Sequence, residues 1–505
     1  MNITVFPILI PLIGFCLALF FRRNIGQQKS VTILASILHV LLTLTLLRET
    51  DAQLSLQSAG WIAPFGISLT INFLSLLMLA VASVMYLVIS LYSIPNLTAE
   101  SSVMYFPLLN IIIAGICGAF LTADIFNLYV WFELILLSSF ALISLEGNRK
   151  RLRGAFTYAI MSVTGSMLFL LAVGLIYGAT GTLNMADLAV KLDVLAQESP
   201  GYVLGLSLLL FVAFSLKAAI WPFYFWLPDS YHLPSSALSS LFAALLTKVG
   251  IYAIFRVLIA VFPHIDYLSF LAALLAAMTM LLGVLGAVAQ YQTRKILTYH
   301  SVSQVGYIVA GAAFMGADDP DIKVLGLAAG IFFMIQYIFV KAALFLVSGI
   351  ILVKEGSEEL KYLGAIKKTA PMLSILFVIS AMSLAGVPPF SGFWAKYLLL
   401  RAFLLQEFYL LAGAMLVTGF FTIFSMVKIW NEAFWKPQDE SVLETSGVVQ
   451  KSSDLRLCFL ALFILTAITM AISLYPMVLY DYSQKAAMQI FFGSSDTMDP
   501  AASFT

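Results

Sequence analysis

The sequence predicts an all-α integral membrane protein with about fourteen transmembrane helices. Of its 505 residues, 61% are hydrophobic and only 10% are charged, whereas a soluble domain is about 45–50% apolar and about 25% charged. The apolar residues form continuous runs of the length that crosses the hydrocarbon core as a helix, about 20 residues. They do not alternate with polar residues, as the strands of a transmembrane β-barrel would.

Fourteen apolar runs follow one another along the chain, and each is predicted to form one helix. They lie at about residues 3–21, 31–48, 66–93, 104–122, 125–145, 155–178, 203–226, 234–262, 267–290, 297–316, 325–353, 372–405, 409–432 and 456–480. Arg22 and Arg23 follow the first run, whereas a signal peptide carries its basic residues in front. This predicts an uncleaved first span.

The distribution of basic residues predicts the orientation of the spans. Connections 1–2, 5–6, 9–10, 11–12 and 13–14 hold 17 Lys and Arg residues, and the opposite side of the protein holds 5. Because Lys and Arg are enriched in cytoplasmic connections, the first set is predicted to be cytoplasmic. Both termini are then predicted to lie outside.

Charged residues inside the spans are the strongest sign of function. The cations left within the runs are Lys217, Lys248, Arg256, Lys341 and Lys396, and the fifth run contains Glu133. A charge at bilayer depth costs about 2.5–3.5 kcal/mol on insertion scales, so these side chains are expected to face a hydrated or protein-lined interior. Arg256 lies near a span end, from which it can reach the surface.

Lysine suits proton transfer at such a depth. Burial favours the neutral amine, whereas a nearby carboxylate favours the ammonium. Glu133 near Lys217 would therefore make a switch that keeps the proton when the pair is formed and releases it when the pair separates. The alternative is that these charges form structural ion pairs that hold helices together.

Prolines interrupt two of the predicted spans beside lysines. Pro222 lies five residues after Lys217, and Pro388 and Pro389 precede Lys396. The run at 372–405 would be about 51 Å long as one helix, against about 30 Å of hydrocarbon. Because unwound backbone survives at depth only where it lines a cavity or is buried in protein, these breaks indicate an ion path.

Several long motifs surround these residues. The chain contains KAAIWPFYFWLPDSYHLPSSALSSLFAALLTKVGIYAIFR at 217–256, and also GAFLTADIFNLYVWFELILLSSF, RKILTYHSVSQVGYI, VKAALFLVSG and LAGVPPFSGFWAKYLL. They resemble the antiporter-like proton-channel family, which includes the large membrane subunits of respiratory complex I, of membrane-bound hydrogenases and of Mrp-type multisubunit Na+/H+ antiporters. The likeness covers nearly the whole chain.

The resemblance implies roles for particular residues. Glu133 matches the family's glutamate of the fifth span, and Lys217, Lys248 and Lys396 match its charged residues of spans seven, eight and twelve. Protons would pass through Lys217 and Lys248 towards Lys396, with water and polar side chains between them. The resemblance also implies inverted repeats of spans 4–8 and 9–13, so the predicted divisions are 1–103, 104–262, 267–432 and 433–505.

Within the family, the chain most resembles the D-type subunit of the Mrp branch. FPILIPLIG and WIAPFGISLTINFLSLLMLAVAS carry this likeness, together with Lys396, where one complex I sister usually has glutamate. One position departs from the family. Relatives commonly have histidine just ahead of the span-11 lysine, whereas here Gln336 and Tyr337 precede Lys341, and neither titrates near neutral pH as imidazole does.

The remaining polar candidates have two interpretations each. His300, at the start of the tenth span, is either a further relay residue or a capped or surface histidine. His232 is expected to be structural or interfacial, and Asp124 and Asp229 to be helix caps as readily as functional groups.

Three hypotheses for the function follow. The chain is a proton-translocating subunit of a multisubunit cation/proton antiporter, a proton-pumping subunit of a complex I-like NADH–quinone oxidoreductase or membrane-bound hydrogenase, or a membrane scaffold. The sequence contains no P-loop, no Rossmann glycine fingerprint and no paired metal ligands, so no cofactor is expected and a metal site is left open. The expected partners are other membrane subunits, H+, Na+ and the lipid of the plasma membrane, with no nucleic acid.

Overall fold

The computed structural model describes residues 3–48, 54–61, 65–95, 103–145, 147, 149–262, 266–437 and 455–493. Over these residues the chain is almost entirely helical, which confirms the predicted fold class. The only strands in this part are β1 (Leu54–Gln57) and β2 (Ser68–Ile71), an antiparallel pair with Leu54 opposite Ile71. The protein is a multi-pass membrane protein.

The helices follow the apolar runs in order. The helices before the first break are α1 (Phe6–Phe20), α2 (Ile25–Arg48), α3 (Phe73–Ser93), α4 (Tyr105–Leu121), α5 (Ile125–Ser144), α6 (Arg149–Thr180), α7 (Met185–Glu198) and α8 (Pro200–Ala218). Next come α9 (Trp226–Ser230), α10 (Ser236–Leu241), α11 (Thr247–Ala253), α12 (Asp266–Val288), α13 (Thr293–Val309) and α14 (Pro320–Glu355). The last are α15 (Ile366–Thr369), α16 (Pro371–Ala385), α17 (Ser391–Leu405), α18 (Tyr409–Ile429), α19 (Arg456–Leu474) and α20 (Pro476–Phe492).

Eleven helical segments of the described chain are long and apolar enough to cross a membrane, and α4 and α16 are shorter apolar helices. Every one of the fourteen apolar runs contains a helix. The exact number of spans and the side of the termini stay predictions. Residues 1–2 and 494–505, at the two ends, lie outside the described residues, as does most of the connection between α18 and α19.

Hydrogen bonds join connections that are predicted to lie on the same side of the membrane, because successive spans cross it in alternate directions. On the predicted outer side, Ala123 N donates to Ser68 O at 2.9 Å, and Met185 N donates to Ala123 O at 2.9 Å. On the predicted cytoplasmic side, Thr293 N donates to Glu358 O at 3.0 Å. Ala365 N likewise donates to Lys436 O at 2.7 Å on this side. The two groups of connections agree with the predicted order of crossings.

Among the helices of more than ten residues in the described chain, α7 and α20 were not predicted. The amphipathic α7 begins after Asn184, whose side chain accepts hydrogen bonds from the backbone of Ala186 and Asp187, and it connects α6 to α8. The last run is not one helix, because α19 ends at Leu474 and Pro476 begins α20. A proline is tolerated in the first turn of a helix but breaks its interior.

The two predicted breaks have the same backbone geometry. After α8, Ala219 adopts a left-handed conformation with φ of 59°, and the Trp221–Pro222 bond is cis. After α16, Gly386 is left-handed with φ of 80°, and the Pro388–Pro389 bond is cis.

The hydrogen bonds at the breaks also correspond. In the first, Ile220 N donates to Ser215 O and Phe223 N to Ile220 O. The bonds at the equivalent positions of the second run from Val387 N to Met382 O and from Phe390 N to Val387 O. By the predicted alternation, α8 and the pair α16–α17 cross the membrane in opposite directions.

Candidate functional site

The six predicted site residues lie on six different helices. Glu133 is on α5, Lys217 on α8, Lys248 on α11, His300 on α13, Lys341 on α14 and Lys396 on α17. Lys248, His300 and Lys341 have no exposed surface, and the other three are partly buried. Because a charge at this depth is costly without partners, their surroundings decide what each can do.

Lys217 lies at the end of α8, two residues before the left-handed Ala219. Its Nζ donates a hydrogen bond to Ser166 Oγ at 2.8 Å and lies 5.6 Å from the ring centroid of Phe132. A cavity of about 30 Å³ adjoins the amine, and Tyr158 and Ser162 also line it. This volume holds about one water molecule.

Glu133 and Lys217 do not form a direct ion pair in this part of the structure, although they interact electrostatically. Glu133 Oε1 is buried and has no hydrogen-bond partner among the residues that the structure describes. The two members of the predicted switch are therefore separated, and the amine is held by the neutral hydroxyl of Ser166.

Lys248 lies on a stretch of irregular helix. Residues 242–246 and 254–259, on either side of α11, form π-helical turns, which occur frequently at functional sites. Lys248 Nζ donates to Ala243 O at 2.7 Å, within the first of these turns, and to Thr247 Oγ1 at 3.1 Å.

Tyr337 lies between Lys248 and Lys341. Its ring centroid is 4.3 Å from Lys248 Nζ and 5.9 Å from Lys341 Nζ, so one aromatic ring contacts both amines. Lys341 Nζ has no hydrogen-bond partner among the described residues. Gln336 Oε1 accepts a hydrogen bond from Ser391 Oγ at 3.3 Å, at the start of α17. Tyr337 thus contacts two lysines of the predicted path, and Gln336 bonds to α17, the helix that carries Lys396.

Lys396 lies beside the second break. Its Nζ donates to the carbonyl of Ala385, the last residue of α16, at 2.7 Å, and the ring centroid of Tyr307 is 5.3 Å away. A Cβ at Gly386 would lie 2.6 Å from Lys396 Cδ, and the φ of +80° at this position also disfavours a side chain. The break therefore supplies a carbonyl acceptor and leaves space for the lysine.

His300 is a buried residue, which excludes the interpretation as a surface histidine. Its Nε2 hydrogen-bonds with Ser425 Oγ, whereas its Nδ1 is buried without a partner. The neighbouring charges that act on it are those of Lys341 and Lys396, so it lies in the same interior region as these two lysines.

The other polar candidates lie in structural positions. His232 Nδ1 hydrogen-bonds to Pro228 O at 2.6 Å, and burial lowers the pKa of His232 to about 4. Asp124 caps α5, because its side chain accepts a hydrogen bond from Asn127 N at 2.7 Å. Arg256 Nη2 donates to Thr70 Oγ1 at 3.4 Å. Thr70 lies on β2, at the predicted outer side, so this contact is expected of a residue near a span end.

Sequence reasoning missed several polar side chains beside this region. Gln304 is fully buried, and within the described part of the chain neither its Oε1 nor its Nε2 has a hydrogen-bond partner. Thr418 Oγ1 and Ser383 Oγ are also buried without partners. The available signal was the spacing in HSVSQ, which puts Gln304 one helical turn after His300.

The arrangement is suited to carrying protons. The amines of Lys217, Lys248 and Lys396 are held by hydroxyl and carbonyl oxygens rather than by carboxylates. Neutral partners leave a lysine free to lose and regain its proton, whereas an ion pair would retain it. The unpartnered polar atoms between them are sites that water can occupy.

Residues 122–422 match the family described as NADH:quinone oxidoreductase/Mrp antiporter, TM, and the chain belongs to that family. Among its relatives, the D-type subunit of a Na(+)/H(+) antiporter from Alkalihalophilus pseudofirmus is 38% identical over 493 residues, which is 97% of each chain.

Two solved structures have the same fold. A chain of the Mrp complex from Dietzia sp. DQ12-45-1b matches 97% of both chains with a TM-score of 0.87 and 30% identity. A chain of the membrane-bound sulfane sulfur reductase, an archaeal respiratory membrane complex, also has a TM-score of 0.87, covers 97% of this chain and 98% of that chain, and is 23% identical. The second likeness concerns the fold alone.

Proposed function

We propose that this chain is a proton-translocating membrane subunit of a multisubunit Na+/H+ antiporter, in which protons move along the buried lysines, His300 and intervening water. The observation that carries the proposal is the set of buried amines on four helices with neutral oxygen or aromatic partners. Glu133, beside Lys217, supplies the negative charge that controls when Lys217 holds its proton.

The relatives favour the antiporter over the alternatives. The similarity to a protein named as the D-type subunit of a sodium/proton antiporter extends over 97% of both chains, and the similarity to a chain of an Mrp complex has the same extent. Because a respiratory complex contains a chain of the same fold, fold alone does not separate an antiporter from a redox-driven pump.

The chain assembles with other membrane subunits of a hetero-oligomeric complex, as its similarity to a named antiporter subunit and to a chain of an Mrp complex supports. We propose that the ions exchanged are H+ and Na+ and that the complex resides in the plasma membrane. The Mrp complex and the sodium/proton antiporter named for the relatives support both proposals.

We also propose that 104–262 and 267–432 are inverted repeats. The two breaks support this, since each pairs a left-handed residue with a proline bond two residues further on and with equivalent backbone hydrogen bonds. Each repeat would then contribute one irregular turn to the interior, as in other transporters built from inverted halves.

Transport by the complete complex tests the function. Lys217→Ala is expected to lower Na+-dependent proton movement in inverted membrane vesicles by about a hundredfold or more, because a proton-transfer group is lost. The matched control is Lys191→Ala on α7, whose amine is exposed and pairs with Asp187 at 2.9 Å. Unchanged transport by Lys217→Ala would contradict the proposal.

Two further measurements separate the alternatives. A scaffold role predicts that Lys217→Ala and Glu133→Ala impair assembly, whereas the antiporter role predicts normal assembly with loss of transport. Flavin or iron–sulfur absorbance in the purified complex would indicate a redox-driven enzyme instead.

A further inference from the structure

The interface between α13 and α18 contains a buried polar stripe. On α13, Tyr307 donates its hydroxyl to Met415 O at 3.0 Å, and His300 bonds with Ser425. The two helices run antiparallel, and both contacts lie on the same face of α13. Gln304 is four residues from His300 and three from Tyr307, so it occupies that face between the two contacts.

Between Met415 and Ser425, α18 contains Thr418 and Thr422, which are both fully buried. Thr422 Oγ1 donates to the Thr418 carbonyl at 2.8 Å, whereas Thr418 Oγ1 has no partner. The two polar atoms of Gln304 also have none. Because unsatisfied buried polar groups cost about 1–3 kcal/mol each, this concentration of them indicates bound water.

Lys396 reaches the outer end of this stripe. A Cβ at Gly419 would lie 3.8 Å from Lys396 Nζ and 4.0 Å from the Tyr307 hydroxyl, so the amine is level with Thr418. One turn beyond Ser425, Lys428 Nζ donates to Val288 O at 3.0 Å and to Gln290 O at 2.7 Å. These carbonyls lie at the end of α12, next to the connection predicted to be cytoplasmic.

The region on the other side of Lys396, towards the predicted outer face, is apolar. Phe403, seven residues further along α17, stacks on Phe314 with ring centroids 5.7 Å apart and an interplanar angle of 4°. The ring centroid of Phe408 lies 5.7 Å from that of Phe314. Phe314 and Phe403 are fully buried, and these three rings offer water no hydrogen-bonding atoms towards the predicted outer face.

From this arrangement we infer that Gln304 and Thr418 hold a chain of water molecules that connects Lys396 to His300 and Ser425, and through them to the predicted cytoplasmic face. Gln304 and Thr418 are positioning residues in this assignment, because they orient water rather than carry the proton. The phenylalanine cluster closes the other side. The inference rests on the proposed function, since it specifies the route by which Lys396 exchanges its proton.

Two threonine variants of the full complex test the inference. Thr418→Val keeps the shape of the side chain and removes the unpartnered hydroxyl, and it is expected to lower Na+-dependent proton movement in inverted vesicles about tenfold or more. Thr422→Val is the matched control on the same face, because its hydroxyl bonds only to its own helix; its rate is expected to stay that of the unmodified complex. Equal rates for the two variants would overturn the inference.

Two substitutions of Gln304 distinguish a water site from packing. Gln304→Ala leaves a space between α13 and α18 that water can fill, so transport is expected to be largely retained. Gln304→Leu fills the space with an apolar side chain and is expected to reduce transport about tenfold or more. A purely structural role predicts the reverse order, because the cavity left by alanine costs more stability than leucine does; that order would overturn the inference.

Lys396→Ala in the same vesicles separates this inference from the function on which it rests. Loss of transport in Lys396→Ala with normal rates in Thr418→Val and Gln304→Leu would refute only the water chain. Transport retained in Lys396→Ala would refute the proton path itself.

Discussion

Tyr337 lies on α14 four residues, or about one helical turn, before Lys341. The face of its ring lies 4.3 Å from Lys248 Nζ and 5.9 Å from Lys341 Nζ. The attraction between an aromatic face and a cation is worth about 0.5–2 kcal/mol. This is enough to stabilise a lysine ammonium while the proton passes, and too little to retain the proton as a carboxylate would. The sequence indicates both lysines but not that the Tyr337 ring contacts them, because this contact forms only when α11 and α14 pack together.

Replacement of Tyr337 by leucine is expected to lower Na+-dependent proton movement by about twofold to thirtyfold, which corresponds to the loss of that attraction. Tyr337→Phe retains the ring and is expected to transport normally. Both rates are measured in inverted vesicles that contain the complete complex. If Tyr337→Phe is impaired as much as Tyr337→Leu, the hydroxyl and not the ring serves the path.

At the scale of the elements, a buried ion pair joins the connections on the predicted cytoplasmic side. Arg294 Nε pairs with the Glu358 carboxylate, and the guanidinium also donates to Pro234 O. Gln292 Nε2 donates to Glu358 Oε2 at 3.3 Å. Burial raises the pKa of the Glu358 carboxyl above its ordinary value, and Arg294 opposes this shift. Three connections are thereby held next to one another.

Arg294→Met is expected to destabilise the protein by about 3–5 kcal/mol at neutral pH, because it leaves a buried carboxylate unpaired. Since the folded-state pKa of Glu358 is raised and the variant lacks the opposing cation, the folded state binds its proton more tightly than the unfolded state. The lost stability should therefore return as pH falls from neutral through this raised pKa.

Thermal unfolding of the purified complex across pH measures this effect. Lys361→Met is the control, because it breaks an ion pair with Glu359 in which both side chains are exposed. Such a pair contributes little to stability. A loss in Arg294→Met that does not vary with pH would show that packing, rather than the carboxylate charge, is responsible.

The helical elements were predictable to the extent that hydropathy defines them. Each apolar run contains a helix, since about 20 apolar residues can satisfy their backbone in lipid only in this way. The amphipathic α7 was missed because its apolar residues cover one face only and form no continuous run. The end of α19 was missed because hydropathy continues through Pro476, which interrupts a helix without making the run less apolar.

At the scale of the whole molecule, the sequence predicts an order of crossings with which the contacts between connections agree, whereas it does not predict the interior path. The excess of basic residues on one side predicted which connections lie together, and the hydrogen bonds between Ser68 and Ala123 and between Thr293 and Glu358 agree with it. Glu133 and Lys217 were predicted as a pair, but the amine bonds to Ser166. Hydropathy predicts that a charge must be accommodated and does not predict which neighbour accommodates it.

The predicted orientation can be measured on whole cells. In a chain whose cysteines at 16, 117 and 458 are replaced by alanine, Thr505→Cys is expected to react with a membrane-impermeant thiol reagent added outside. Gly147→Cys, in the connection between α5 and α6, is expected to react only after the membrane is opened. The opposite result would reverse the assignment of cytoplasmic and outer faces.

The matching turns after α8 and α16 have a consequence for the direction of ion flow. They repeat the same local backbone geometry in crossings that are predicted to have opposite polarity. In the proposed pair of inverted repeats, each half then presents the same kind of irregular turn to the membrane from the opposite side. We expect the direction of net exchange through such a pair to follow the ion concentrations and the voltage across the bilayer.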